Sequence, residues 1–256
     1  MQLIDSHTHL YLPEFNDDRE EVVRRALDVG ITGLLLPNID KDSYKPMLKM
    51  VDNYPGICYA MTGIHPTYIK DDYREQLETM EKSLSKNAFV AIGEIGIDLY
   101  WDKTYIKEQE IAFREQLAIA GNMNLPVVIH TRNSLKETLR IIDEQKSEGL
   151  KGVFHAFTGT VNEAEEIISR GFMIGIGGIL TFKNSGLDKT IQQVDLQNII
   201  LETDSPYLAP VPKRGKRNES SYLRFTAEYL AGIKGLSPEE TARQTSSNCR
   251  KLFNLD

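Results

Sequence analysis

Every histidine of this chain follows a short apolar run typical of a buried strand, and this pattern limits the folds that the chain can adopt. Two carboxylates repeat the pattern after further apolar runs. The polar residues at these positions are His7, His9, His65, Glu94, His130, His155 and Asp204. Polar residues that follow strand after strand are typical of a parallel sheet, in which the carboxyl ends of the strands share one edge or face. The sequence therefore predicts one site built from several strand ends.

Strand and helix patterns alternate along the whole chain. Eight strands are predicted near residues 2–5, 33–36, 57–62, 88–92, 126–129, 151–154, 172–176 and 198–201, and helical spacing is found at 19–29, 104–121, 134–144, 161–169 and 187–192. Eight such alternations in about 250 residues are typical of an α/β fold of the (β/α)8 TIM-barrel type. An open doubly wound sheet is disfavoured, because no glycine-rich phosphate turn follows the first strand. Since no linker interrupts the pattern, we expect one domain over residues 1–256.

Composition limits the partners that the chain can bind. The formal net charge of −7 means that a polyanion must meet a local basic patch or metal ions. No apolar stretch reaches the roughly 20 residues that cross a bilayer, and the N-terminus does not resemble a signal peptide. We therefore expect a cytoplasmic protein with no membrane partner. A monomer is the expected oligomeric state. Cys58 and Cys249 are far apart in sequence and are predicted to be free buried thiols.

The spacing of the polar residues indicates a metal site. His7 and His9 occupy alternate positions of an extended segment, so both rings can reach one ion. Six nitrogen and oxygen ligands are enough for two divalent ions, with Glu94 bridging, His7, His9 and Asp204 on one side, and His130 and His155 on the other. Such ligands without thiolate suit Zn²⁺, Mn²⁺ or Fe²⁺, and Mg²⁺ when waters remain. His65, which precedes Pro66, is predicted to support the ligands or to face the substrate.

Six sequence blocks resemble the TatD family of metal-dependent deoxyribonucleases, within the amidohydrolase superfamily. They are Ile4-Asp5-Ser6-His7-Thr8-His9-Leu10, Gly63-Ile64-His65-Pro66, Gly93-Glu94-Ile95-Gly96-Ile97-Asp98, Leu125-Pro126-Val127-Val128-Ile129-His130-Thr131-Arg132, His155-Ala156-Phe157-Thr158-Gly159 and Leu201-Glu202-Thr203-Asp204-Ser205-Pro206-Tyr207-Leu208. His-x-His alone is shared with the wider superfamily, whereas the Gly-Glu-x-Gly-x-Asp and Glu-Thr-Asp-x-Pro-Tyr blocks together are specific. The resemblance runs in order from residue 4 to the C-terminal helix.

The resemblance implies a TIM barrel in which His7, His9, Glu94, His130, His155 and Asp204 bind divalent metal and DNA phosphodiesters are hydrolysed. It also implies that Asp204 assists the attacking water, so Glu94 and Asp204 are the predicted catalytic residues. Two departures from the family pattern affect substrate contacts rather than metal chemistry. Thr67 stands where many members have histidine, and Ser220 ends a segment that in the family reads Asn-Glu-Pro.

Basic and aromatic residues provide candidate substrate contacts. Lys213 to Arg217 carries four positive charges in five residues. Such a run is usually a solvated loop, but beside a metal site we interpret Lys216 and Arg217 as a phosphate clamp, with Arg132 as a bidentate phosphate ligand. Tyr11, Tyr68, Tyr100 and Trp101 fall in loops on the same side, where one or two are candidates for stacking on a base.

Three functions are compatible with these features. The first is a DNA phosphodiesterase that trims single-stranded DNA from the 3′ end, an activity that DNA repair and DNA turnover both use. The second is a hydrolase of small phosphoesters or amides, for which a lysine between the two ions would be typical. Glu94 stands at that bridging position instead. The third is a non-catalytic nucleic-acid binder that depends on metal, and the full ligand set beside Asp204 disfavours it.

Overall fold

Eight strands and nine α-helices alternate in the part of the chain that the computed structural model describes, residues 1–145 and 149–255. The strands are β1 (Leu3–Asp5), β2 (Ile31–Pro37), β3 (Cys58–Thr62), β4 (Ala91–Asp98), β5 (Val127–Arg132), β6 (Gly152–Phe154), β7 (Phe172–Ile176) and β8 (Ile199–Leu201). The helices are α1 (Arg19–Asp28), α2 (Tyr44–Asn53), α3 (Tyr73–Leu84), α4 (Ile106–Met123), α5 (Leu135–Gln145), α6 (Val161–Ser169), α7 (Leu187–Gln193), α8 (Leu223–Lys234) and α9 (Pro238–Phe253).

The strands form a parallel barrel in chain order. Each strand from β1 to β8 pairs with the next one along the chain. Beyond the ends of β8 and β1, the Ser6 amide donates to the Leu201 carbonyl at 3.0 Å and the Asp204 amide donates to the His7 carbonyl at 2.9 Å. These bonds join the first and last strands at the carboxyl-end rim, and the prediction of a TIM barrel is confirmed.

The barrel interior is filled by side chains, and α9 covers its amino end. The inward layer takes one residue from each of seven strands, namely Ile4, Leu35, Met61, Ala91, Val128, Val153 and Ile200. Cys249, Leu252 and Phe253 of α9 pack against this layer. The ligand-type residues lie at the opposite end of the strands, so the two ends of the barrel have separate tasks, as is usual in this fold.

The strand that carries Glu94 is longer than the sequence predicts and contains a bulge. Pairing with β5 runs from Ile92 opposite Val127 to Ile95 opposite Ile129, so three residues of β4 span two of β5. The extra residue re-aims side chains locally, as bulges beside active sites commonly do. Glu94 therefore lies within β4 rather than after it, and His130 likewise lies within β5.

Local sequence signals explain several helix boundaries. α6 and α9 each begin with a reciprocal capping box, formed by Thr160 with Glu163 and by Ser237 with Glu240. Both cysteines are buried and free, as predicted. Among the described residues, the helices include none with the length and apolar character that a membrane span requires.

Candidate metal centre

The predicted ligands meet at the carboxyl-end rim of the barrel. They are His7 and His9 beyond β1, His65 beyond β3, Glu94 in β4, His130 in β5, His155 beyond β6 and Asp204 beyond β8. Three groups of these residues each place their ligand atoms within 4.8 Å of one another, namely His7–His9–Glu94, His7–His155–Asp204 and His65–Glu94–His130. Each group combines two imidazoles with one carboxylate, a donor set that fits a divalent metal ion.

One oxygen of the buried Glu94 carboxylate faces the histidines of the first strand. Glu94 Oε2 lies 3.2 Å from His7 Nε2 and 3.7 Å from His9 Nε2. Asp204 Oδ1 approaches the same two nitrogens, at 3.8 and 3.4 Å. The two Nε2 atoms are themselves only 3.2 Å apart. Two ring nitrogens that point into one space between two carboxylates are arranged as ligands of one ion.

A buried tyrosine fixes the tautomer of His9. The Tyr11 hydroxyl donates to the Pro37 carbonyl at 2.6 Å, so its oxygen is left to accept from His9 Nδ1, 2.9 Å away. His9 therefore carries its proton on Nδ1 and presents a free lone pair at Nε2. Tyr11 is buried and has this positioning task, so it is unavailable for the base stacking considered from sequence.

The other Glu94 oxygen faces three further histidines. Glu94 Oε1 lies 2.7 Å from His155 Nε2, 3.1 Å from His130 Nδ1 and 3.3 Å from His65 Nε2. The Thr67 amide donates to His65 Nδ1 at 3.2 Å, which places the proton of a neutral His65 on Nε2. His65 therefore presents a hydrogen-bond donor to the centre, whereas a metal ligand must present a lone pair.

Asp98 orients His130 and was not among the site residues predicted from sequence. Its Oδ2 accepts from His130 Nε2 at 2.9 Å, which directs Nδ1 toward Glu94. Its Oδ1 accepts from the backbone amides of Tyr100 at 2.9 Å and Trp101 at 3.1 Å. Asp98 lies four residues after Glu94 in the same strand, and this even spacing is the signal that would have identified it.

Glu202 and Asp5 support the ligands of the last two loops. Glu202 Oε1 accepts from the Ala156 amide at 2.5 Å and lies 3.8 Å from His155 Nδ1. Asp5 accepts from the amide and the hydroxyl of Thr203, at 2.9 and 2.6 Å, and so holds the segment that carries Asp204. Asp5 also accepts from the His7 amide, at 3.4 Å, and so supports the turn that carries His7.

The backbone at two site positions is left-handed without glycine. Ala156 has a φ of 47° and Asp204 has a φ of 53°. Such conformations cost about 1–3 kcal/mol each in a residue with a Cβ atom, and surrounding bonds must stabilise them. The bonds from Ala156 to Glu202 and from Asp204 to the His7 carbonyl do so here. The site is therefore held rigidly by backbone contacts as well as by side chains.

Two buried carboxyl groups of the centre are held in the ionised form by their neighbours. Burial favours a higher pKa for Glu94, but the charges of His155, His65 and His7 outweigh it and hold that pKa well below its usual value. Burial likewise opposes ionisation of Asp98, yet its hydrogen bonds from His130 and the loop amides lower its pKa to about 2. Both groups are thus carboxylates at neutral pH, as metal coordination and its supporting contacts require.

A cavity of about 620 Å³ opens above the centre. The residues that line it include His9, His65, Glu94, His130, His155 and Asp204 of the centre, together with Tyr68, Trp101, Arg132 and Tyr207. Among the described residues that line it, Arg132 is the one lysine or arginine. An anionic substrate in this cavity would therefore meet the metal centre below and a single guanidinium at the side.

The structure does not bring the predicted clamp residues Lys216 and Arg217 to the cavity lining. The Arg217 guanidinium donates to Asp18 Oδ2 at 2.7 Å and to the Glu14 carbonyl at 2.6 Å, and it lies over the Phe15 ring. These contacts tie the loop after β8 to the loop before α1. The guanidinium is thus already paired with a carboxylate of its own chain.

Comparison with known proteins relates this centre to a family. Residues 4–254 match the family described as TatD related DNase. The metal-dependent hydrolase YabD of Bacillus subtilis is 35% identical, over 99% of this chain and all of that protein. The 3′-5′ ssDNA/RNA exonuclease TatD of Pantoea vagans is 31% identical, again over 99% of this chain and all of the relative.

A solved structure shows the same architecture. The crystal structure of YJJV, a TatD homologue from Escherichia coli K12, superposes with a TM-score of 0.93 at 28% identity. The superposition covers 99% of this chain and 98% of the other. The barrel and its order of elements are therefore shared over almost the whole of both chains.

Proposed function

Because the chain belongs to the family of TatD-related DNases and is a metal-dependent hydrolase, we propose that it hydrolyses DNA phosphodiester bonds, as a 3′-to-5′ exonuclease on single-stranded DNA. One observation carries the proposal. The two oxygens of Glu94 face two different sets of imidazoles, and Asp204 stands beside one set. The Pantoea vagans relative is named an ssDNA/RNA exonuclease, which supports nucleic acid as the substrate.

Two divalent ions, from among Mg²⁺, Mn²⁺ and Zn²⁺, are part of the proposal. His7, His9 and Asp204 would hold one ion, His130 and His155 the other, and Glu94 would contact both. When bound, such ions lower the pKa of water and neutralise charge on phosphate oxygens. His130 enters this set with its Nδ1 atom, because Asp98 occupies its Nε2 atom.

Asp204 is proposed as the general base. Its side chain lines the cavity, and 16% of its surface is exposed there. Burial favours a higher pKa for this carboxyl, but the bond from His9 and the charge of His7 lower it. Asp204 is therefore ionised at neutral pH and can accept the proton of the attacking water. Its left-handed backbone fixes the direction from which it does so.

His65 and Arg132 are proposed to bind the phosphate. The Nε2 proton of His65 makes it a donor to a phosphate oxygen, and the Arg132 guanidinium can make a bidentate contact. Lys216 and Arg217 would then act on phosphates outside the cavity. Of these two, Arg217 would first have to exchange its contact with Asp18.

The test is a time course with 5′-labelled single-stranded DNA on a sequencing gel. The enzyme is loaded with Mg²⁺, Mn²⁺ or Zn²⁺, or treated with chelator, and is compared with Glu94→Ala. We expect a ladder that shortens from the 3′ end, that requires metal and that is absent in Glu94→Ala. Glu78→Ala, which alters an exposed glutamate of α3, is the matched control and should behave as wild type.

The possible results separate the candidate functions. Internal fragments in place of a ladder would support nuclease activity but would contradict trimming from the 3′ end. Absence of DNA cleavage by protein that retains its metal would favour a hydrolase of small phosphoesters or amides. Equal cleavage by Glu94→Ala would contradict the role given to the carboxylate.

A further inference from the structure

Trp101 and Arg132 line the cavity, and the Tyr100 ring lies against both of them. Trp101 is 63% exposed and Tyr100 is 51% exposed, although both are large aromatic residues. We propose that Tyr100, Trp101 and Arg132 form a nucleotide subsite, in which Trp101 stacks on the base and Arg132 binds the phosphate of the same nucleotide. This inference rests on the proposed function, and it concerns the base of the nucleotide, which the metal centre does not contact.

The guanidinium of Arg132 is held in place by the rings. Its Cζ atom lies 3.8 Å from the centroid of the Tyr100 ring and 5.1 Å from that of Trp101. The two rings are 4.9 Å apart and nearly perpendicular, at 88°. The Tyr100 ring is therefore covered by the guanidinium, whereas the Trp101 ring keeps an exposed face. An exposed indole face beside a fixed cation suits a planar base that carries a phosphate.

Arg132 lines the cavity and has no carboxylate partner among the described residues. Arg25 and Arg217 each pair with a carboxylate, whereas the guanidinium of Arg132 contacts only aromatic rings. An unpaired guanidinium in a cavity that otherwise contains Glu94, Asp98 and Asp204 is poised for an anionic ligand.

The subsite is built on strand ends rather than on a free loop. Arg132 is the last residue of β5 and lies opposite Asp98, the last residue of β4. The Leu99 amide donates to the Arg132 carbonyl at 2.9 Å, and the Arg132 amide donates to Ser134 Oγ at 3.1 Å. Asp98 holds the amides of Tyr100 and Trp101. The subsite is therefore preorganised, which reduces the entropy lost on binding.

The arrangement has a consequence for the choice of substrate. A base can stack on Trp101 only if it is free of its neighbours in a duplex, so the subsite favours single strands and frayed ends. Phosphoesters that lack a base would lose this contact and bind more weakly. The subsite is also tolerant of sequence, since every base offers a flat face.

Trp101 is the sole tryptophan of the chain, so its fluorescence reports on the subsite directly. Metal-loaded enzyme is mixed in a stopped-flow instrument with a thymidine hexanucleotide, or with a hexamer of the same charge made of abasic deoxyribose phosphates. We expect the thymidine hexamer to quench the fluorescence before turnover and the abasic hexamer to leave it unchanged. Quenching by both, or by neither, would overturn the stacking assignment.

Steady-state kinetics on the same two hexamers test the roles separately. Trp101→Ala should raise KM for the thymidine hexamer about tenfold or more and leave KM for the abasic hexamer unchanged, while Trp101→Phe should recover most of the loss. Arg132→Ala should raise KM for both hexamers, and Arg132→Lys should recover part of it. Tyr229→Ala, which removes an exposed ring of α8 away from the cavity, is the matched control.

The outcomes distinguish failure of the subsite from failure of the proposed function. If Trp101→Ala cleaves DNA with the same KM as wild type, the subsite is rejected and the nuclease activity stands. Base-dependent quenching without cleavage under any metal would keep the subsite and reject the nuclease. An equal effect of Trp101→Ala on both hexamers would mean that the ring supports the fold of the loop, and it would also reject base stacking.

Discussion

The bond between Asp98 and His130 allows a sharp test of the metal centre. Asp98→Asn keeps the shape of the side chain and the oxygen that accepts from Tyr100 and Trp101. It replaces Oδ2, which lies 2.9 Å from His130 Nε2, by an amide nitrogen that can only donate. His130 must then give up this bond or move its proton to Nδ1, the atom that faces Glu94.

The expected loss follows from what such supporting bonds contribute. Replacing a carboxylate behind a ligating histidine typically costs 10- to 100-fold in metal affinity or activity, or about 1.4–2.7 kcal/mol. We expect Asp98→Asn to lower metal affinity by a factor in this range and to keep the melting temperature of metal-free protein close to wild type. The bonds to the loop amides survive the change, so the loop itself should not unfold.

The assay is a metal titration against a competing chelator dye, together with turnover on single-stranded DNA. Asp143→Asn is the matched control, because Asp143 is an exposed carboxylate that pairs with Arg170 outside the barrel mouth. Metal affinity of Asp98→Asn equal to that of the control would refute the reasoning. A loss of turnover at saturating metal, with affinity unchanged, would show that Asp98 acts on the substrate loop instead.

Three further changes test other parts of the structure. Asp18→Asn should lower the free energy of unfolding by about 1 kcal/mol or less at neutral pH, and the difference from wild type should disappear as the pH falls through the lowered pKa of Asp18. The hydrogen bond from Arg217 lowers the pKa of Asp18, so the ionised carboxylate stabilises the folded protein at every pH above its ordinary pKa. This stabilisation is lost when acid protonates the carboxylate. A difference in stability that persists in acid would contradict the assignment. Gly175→Ala would place a Cβ 2.3 Å from Glu202 Oε2, so we expect it to displace Glu202 and lower turnover, while Gly232→Ala in α8, where space is open, should not. Phe253→Ala should cost about 3–5 kcal/mol by calorimetry, and a loss below 1 kcal/mol would mean that α9 does not seal the barrel.

The strand pattern could be predicted because buried parallel strands are short, apolar and β-branched. Phe172–Ile176 and Val161–Ser169 agree with their predicted bounds. β4 was predicted to end at Ile92, because Gly93 and the charge of Glu94 interrupt the apolar run. The bulge that keeps these residues in the strand depends on pairing with β5, which a single run of residues does not reveal.

Helix α3 is among the helices that the sequence did not predict. α3 buries Gln76 alongside Tyr73, Leu77 and Met80, so its apolar stripe is too sparse to detect. In the site, the predicted metal ligands could be identified because histidines and carboxylates follow the apolar runs. Asp98 and Glu202 were not identified, because they act through hydrogen bonds to other residues. Contacts such as that between Arg217 and Asp18, which are 199 positions apart, depend on the folded chain. The predicted roles of Lys216 and Arg217 in phosphate binding stay predictions.

The position of α9 has a consequence for synthesis of the protein. Its last turn supplies Leu252 and Phe253 to the layer that lines the barrel interior. A growing chain can therefore pair all eight strands on the ribosome while the amino end of the barrel still exposes that layer to water. Final burial of that layer waits for α9, which is synthesised after all eight strands. Metal could reach the opposite end of the barrel before this step, so loading of the centre and sealing of the core need not occur in a fixed order.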